Sequence, residues 1–288
     1  MITRKNASLC ALLLAAITTP GLHAYQFDLE GEFVTLESEF AGETSDVDAL
    51  AISGQFYLSD VGDSAALPFE ELGNFSQISN LGLEIVRVDP EFGDDDTGFA
   101  LNGQAFIAGS KQFLYGEYSD DADDFKLFTV GYGGFFRDNF QGRVGFVRQD
   151  FDDGDGIGVN GTLEAVFAFA NGSYLVPRGE LTIIGGEIDG FDEDIDYGFV
   201  TFEAGLDFYP IKQLGLGIGL SSEAIALDDD ADSVTTTTLV SLSANYYINE
   251  AFNVGFSYGF GETELEDDFD DDFEIDQDGL SIEAGIRF

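Results

Sequence analysis

The chain has 288 residues, 44% of them hydrophobic and 14% aromatic, with 56 acidic residues against 11 Lys and Arg for a formal net charge of −45. Charge of this size and sign excludes nucleic acid as a partner, because the phosphates are repelled. With 29 Phe, 11 Tyr and 36 Gly the composition is that of an ordered β-rich chain and not of a disordered acidic polymer.

At the N-terminus, Arg4 and Lys5 precede an apolar core, Leu9 to Ile17, and a small-residue site at Leu22-His23-Ala24. This order predicts a cleaved signal peptide over 1–24, followed by one unit over 25–288. Cys10 follows Ala7-Ser8-Leu9 and precedes most of the apolar core, the reverse of a lipid-attachment site. The leader also holds the chain's one Cys, one His and one Met, so the rest has no thiol or disulfide chemistry. No apolar run beyond it approaches the roughly 18 residues of a membrane helix. If this chain spans a membrane, it must do so as a closed barrel, in which every backbone group is paired.

Period-two segments then recur to the C-terminus, near 25–38, 47–59, 77–89, 97–108, 111–119, 124–136, 140–151, 157–170, 174–188, 195–209, 213–227, 233–248, 251–265 and 276–288. Their connectors alternate in character. One set is acidic and longer, for example 39–46, 89–97, 189–196 and 264–277; the other is short, as AGS (108–110), NGS (171–173) and NE (249–250). The exception in the short set is 60–76, which is open to two readings: a small plug in the lumen or a cover at the rim. Loops sorted by rim are expected of a barrel threaded through a membrane. The fold class is therefore all-β, a transmembrane antiparallel β-barrel of fourteen strands, with twelve and sixteen as the adjacent counts.

One face of each strand is apolar, as in Leu50, Ile52, Phe56 and Leu58, or Val200, Phe202, Leu206 and Phe208, and the other is polar or small. The last segment follows the same rule. Leu280, Ile282, Ala284, Ile286 and Phe288 alternate with polar or small residues, and this ending is similar to the signal read by the barrel-assembly machinery. The inward face carries Glu32, Glu164, Glu180, Glu203, Asp207 and Glu283 against Arg143, Arg178 and Arg287, which are the pore-lining candidates. Arg178 and Glu180 share a face and are expected to interact. Arg148 falls on the lipid side near the outer rim and is expected to reach the surface or a lipid phosphate. A fourteen-strand barrel tilted about 40° has a backbone diameter of roughly 28 Å and leaves a passage about 10 Å wide unless a connector folds inward.

Ala24-Tyr25-Gln26-Phe27-Asp28-Leu29, Leu67-Pro68 with Glu71 and Phe75, and the terminal Gly285-Ile286-Arg287-Phe288 give the chain a further likeness. It resembles the small general porins of gamma-proteobacterial outer membranes. The resemblance implies an outer-membrane channel and assigns no site residue. A net-negative wall favours cations, so the expected function is a passive, cation-preferring diffusion channel for small hydrophilic solutes in the outer membrane of a Gram-negative bacterium. A receptor, adhesin or structural barrel is the alternative. Without His or Cys beyond the leader, His-based acid–base and thiol mechanisms are missing, and no enzyme activity is expected. No cofactor or defined metal site is expected; loosely bound divalent cations at the acidic connectors, as bridges to lipopolysaccharide, are compatible with the carboxylates there. Partners are thus lipid and lipopolysaccharide, the assembly machinery and small solutes or ions, with self-association left open.

Overall fold

The computed structural model describes residues 24–40, 43–62, 64, 66–91, 95–120, 125–151, 154–188, 195–228, 233–266 and 273–288. The strands are β1 (Ala24–Phe40), β2 (Glu43–Gly62), β3 (Asn80–Pro90), β4 (Asp96–Phe106), β5 (Gln112–Asp120), β6 (Lys126–Arg137), β7 (Phe140–Phe151) and β8 (Gly154–Ala165). They continue as β9 (Phe167–Ala168), β10 (Tyr174–Ile188), β11 (Ile195–Ile211), β12 (Leu214–Asp228), β13 (Ser233–Asn249), β14 (Phe252–Glu266) and β15 (Phe273–Arg287). Each pairs antiparallel with its neighbour in the chain, except that β8 and β9 both pair with β10, and β15 pairs with β1. The sheet has no free edge.

β8 and β9 are one stave. Glu164 faces Arg178 and Phe167 faces Leu175 in a single register. The interruption lies opposite Pro177, which has no N–H to give the ladder. The barrel therefore has fourteen staves, as the alternation and the connector parity predict.

Closure is completed at the last residue. The Phe288 carbonyl accepts from the Gln26 and Phe27 amides at 3.1 and 2.8 Å, its own amide donates to Phe27 at 2.9 Å, and the two Phe rings stack at 5.1 Å. The short turns use backbone that suits them. Gly109 and Gly172 take φ of +74° and +84°, the left-handed region that a side chain disfavours. Asn171 Oδ1 accepts from the Ser173 amide at 3.2 Å.

The outer face is a continuous apolar belt. Phe33, Leu58, Leu81, Phe146, Ile157, Leu163, Phe202, Ile218, Leu242 and Phe256 are all exposed. A belt this extensive is stable only against lipid. Arg148 lies on this face, but its partners are within the chain, Asp150 at 3.7 Å and Asp155 at 3.5 Å. β7 and β8 place both acids beside it at the rim.

The wall is uneven. β3 to β8 have 9 to 12 residues each, whereas β10 to β15 with β1 and β2 have 15 to 20. Nine residues tilted by about 40° rise roughly 23 Å, close to the apolar band alone. The longer strands extend past it on the acidic rim. Residues read from composition as connectors, such as 43–46, are consequently paired strand. Acidic residues beyond the bilayer still satisfy their backbone most readily in the ladder. On this rim residues 41–42, 92–94, 121–124, 152–153, 189–194, 229–232 and 267–272 lie outside the described residues, with the leader over 1–23 and many of the connector acids considered for divalent cations.

Candidate functional site, an acidic lumen floored by an inward segment

The inner face divides by height. In its middle is a cavity of about 1030 Å³ whose lining includes Glu30, Glu32, Glu84, Glu117, Glu180 and Glu203. Across it, β12 to β15 present Gly219, Ser221, Ser241, Ser257 and Ser281. Among the described residues, nine carboxylates line this space against two guanidinium groups, those of Arg143 and Arg178. Arg143 donates to Thr162 Oγ1 at 3.1 Å, lies 3.8 Å from Glu180 and stands 5.4 Å over the Tyr115 ring. The expected Arg178–Glu180 interaction gives way to this one. Residues two apart on a strand are separated by roughly 7 Å, whereas cross-strand neighbours are closer.

Near the short-turn rim the inward residues are aromatic instead. Tyr25, Tyr57, Phe113, Tyr115, Phe135, Tyr174, Tyr209 and Tyr247 are buried, together with Leu67, Phe69, Leu72 and Phe75 of the segment joining β2 and β3. That segment, with a 3-10 turn at Glu70–Leu72, folds into the lumen. Of the two sequence readings of 60–76, the plug is the one observed. Gly73 and Asn74 form the floor of the cavity above, and the condition for an open 10 Å passage is not met. The tyrosine ring explains why. Eight aromatics on a face that is otherwise polar or small would be left wet in an empty lumen, and the segment buries them.

Contacts hold the segment from around the wall. Phe75 meets Phe135 of β6 at 5.9 Å, and Phe69 meets Tyr247 of β13 at 6.0 Å. The Phe69 amide donates to the Lys212 carbonyl at 3.1 Å, and Lys212 Nζ donates to the Ser64 carbonyl at 2.6 Å. Gly73 passes so close to β2 that an added Cβ would come within 2.2 Å of Tyr57 Oη. Arg287 Nη1 donates to the Phe69 carbonyl at 2.6 Å while its Nε donates to Asp28 at 2.8 Å. Its guanidinium stands 5.0 and 4.7 Å over the Tyr25 and Tyr247 rings.

At the centre is Glu71, with 0% exposure. Arg178 donates to it, as do Tyr209 Oη and Asn74 Nδ2, both at 3.2 Å. Arg178 also faces Asp207 at 3.1 Å and Glu164 at 3.5 Å, and Gln141 Nε2 donates to Glu164 at 2.7 Å. Beside it, the Glu70 carboxyl is pushed up to about 7, by burial first and by Glu71 second. On the wall, Glu164 lies directly across from Arg178 and Asp207 on the next strand two places from it.

The nine candidates thus fall into two groups. Glu32, Arg143, Glu164, Arg178, Glu180 and Glu203 line the cavity. Asp207 is drawn into the Arg178 cluster, Arg287 is buried beneath Phe69, and Glu283 points toward Gly255, whose Cβ would meet its Oε1 at 2.2 Å. Sequence reasoning missed Glu30, Glu84 and Glu117, which strand parity reveals, and Glu70 and Glu71, which it does not. A second inward apolar cluster, Val147, Ile184 and Tyr197 with Phe151 and Phe199 against it, lies toward the acidic rim and was likewise not anticipated.

The fold is shared with known outer-membrane barrels. The outer membrane protein Omp33 of Acinetobacter baumannii superposes with a TM-score of 0.58 at 15% identity, covering 92% of this chain and 99% of that one. A bacterial polysaccharide outer membrane secretin gives 0.51 at 10% identity, covering 93% and 100%. No protein-family model and no curated protein matches the chain. Likeness at this identity establishes the fold alone, and the apolar belt makes the chain a membrane-spanning β-barrel.

Proposed function

We propose that this barrel is a passive diffusion channel for small hydrophilic solutes, with a preference for cations, in the manner of the general porins it resembles. The observation that carries this reading is the charge of the cavity wall, nine carboxylates against two arginines. An acidic wall lowers the energy of a cation inside and raises that of an anion. The opposite side of Gly and Ser offers hydroxyls to water and leaves the space open. No step of chemistry is assigned to these carboxylates, which are too many and too widely spread to single out an acid–base pair.

For solute to cross, the floor at Gly73–Asn74 must be displaced. That same floor favours the second reading, a barrel that conducts nothing and serves as a receptor or structural surface protein. Planar-bilayer recording of the refolded protein across a tenfold KCl gradient separates the two. Discrete open steps with a cation-selective reversal potential support the channel. Anion selectivity would overturn the role of the acidic wall, and silence from a folded, heat-modifiable barrel would move the protein to the second reading.

A further inference from the structure

Arg178 meets more negative charge than it can neutralise. Three carboxylates, Glu71, Glu164 and Asp207, lie within ion-pair distance of its one guanidinium. Glu164 thus stands near Glu71 around the same guanidinium. Carboxyl groups gathered in excess of their counter-charge and away from water are not all ionised, because like charges held this close favour the protonated form. Glu71 reaches this position only because segment 66–79 is folded inward; with the segment out, Arg178 keeps two carboxylates and the third is in water. The docked arrangement therefore holds a proton that the undocked one does not.

We propose that segment 66–79 is a proton-held gate, seated in the lumen while the carboxyl cluster at Arg178 holds a proton and released when that proton is lost. Around the Glu70–Glu71 turn stand Glu164 of β8, Arg178 of β10, Asp207 and Tyr209 of β11, Tyr247 of β13, and Glu283 and Arg287 of β15. Acids outnumber the two arginines, so ionising any carboxyl in the turn adds repulsion. Glu70 acts in the same sense: its carboxyl sits at about 7 when docked against an ordinary 4.5. A group whose docked value is raised stabilises docking fully below its free value and ceases to do so as pH rises through the docked value. The gate is thus firmest below about pH 4.5 and loosens as pH passes about 7.

Gating has consequence only if the lumen conducts, so this inference rests on the channel reading, and its test separates the two. Leu67, a segment residue buried when the segment is docked, is replaced by Cys in a C10S background, and labelling by a membrane-impermeant maleimide is followed from about pH 5 to pH 8 in vesicles. The rate, corrected for thiolate fraction, should rise about tenfold, and E71Q should remove most of that rise, since its amide brings no third negative charge to Arg178. Open probability of the C10S protein and of E71Q in bilayers should follow the same pattern. A labelling rate independent of pH would overturn the gate whether or not current flows. Labelling that rises with pH in a barrel that never conducts would uphold the gate and refute the channel.

Discussion

The middle and the lower part of this lumen are built from the same strands and solve opposite problems. In the middle, Glu30, Glu84 and Glu117 face open space and are left to water. At the short-turn rim, tyrosines from the same staves face inward, and the chain folds residues 66–79 of itself against them. Arg143 and Arg178 show the contrast within one residue type. Arg143 pairs with one wall acid across a wet surface, while Arg178 holds a carboxylate from which water is excluded. Surface pairs of the first kind are worth little, whereas breaking one of the second kind leaves charge buried and unpaired. A wall is therefore tolerant of substitution, and a floor is not.

The largest effect to expect is from R178A, which strands Glu71 among Glu164 and Asp207. Docking of the segment should weaken by about 3–5 kcal/mol, read as accelerated protease nicking within 66–76 of a barrel that remains folded. Protection equal to wild type would place the energy of the floor elsewhere. Next is F75A, which empties a site against Phe135 and should cost about 3 kcal/mol by the same readout. G73A drives a methyl group against Tyr57 Oη and should cost about 2 kcal/mol; a neutral result would show that β2 can yield there. On the wall, E30Q with E117Q should leave nicking unchanged and move the reversal potential toward zero. K111A is the smallest. It removes the exposed partner that holds the Asp138 carboxyl below its ordinary range and should alter neither nicking nor selectivity, because solvent screens that pair.

The wall was legible in the sequence because membrane strands obey a strict rule. Lipid on one side forces alternation, as in Leu280 to Phe288, and threading forces the connectors to sort by rim. The cavity residues Glu32, Glu180 and Glu203 follow from parity alone, and Glu30 and Glu117 could have. The floor obeys no period. Segment 60–76 reads as a long connector, and neither placement of it follows from local pattern. Its one clue was on other strands: Tyr57, Tyr115, Tyr209 and Tyr247 break the polar face at one height. That clue is non-local, since it becomes a ring only after the barrel has closed. Arg178 illustrates the limit, being correctly placed inward while its main partner, Glu71, lies 107 positions away.

The most direct test shortens the segment, replacing residues 66–76 with a short Gly-Ser turn, and compares this barrel with wild type in the same KCl gradient. A separable floor beneath an acidic wall predicts larger, steadier conductance with the cation-selective sign unchanged. Conductance equal to wild type, or a reversal potential of the opposite sign, would contradict it.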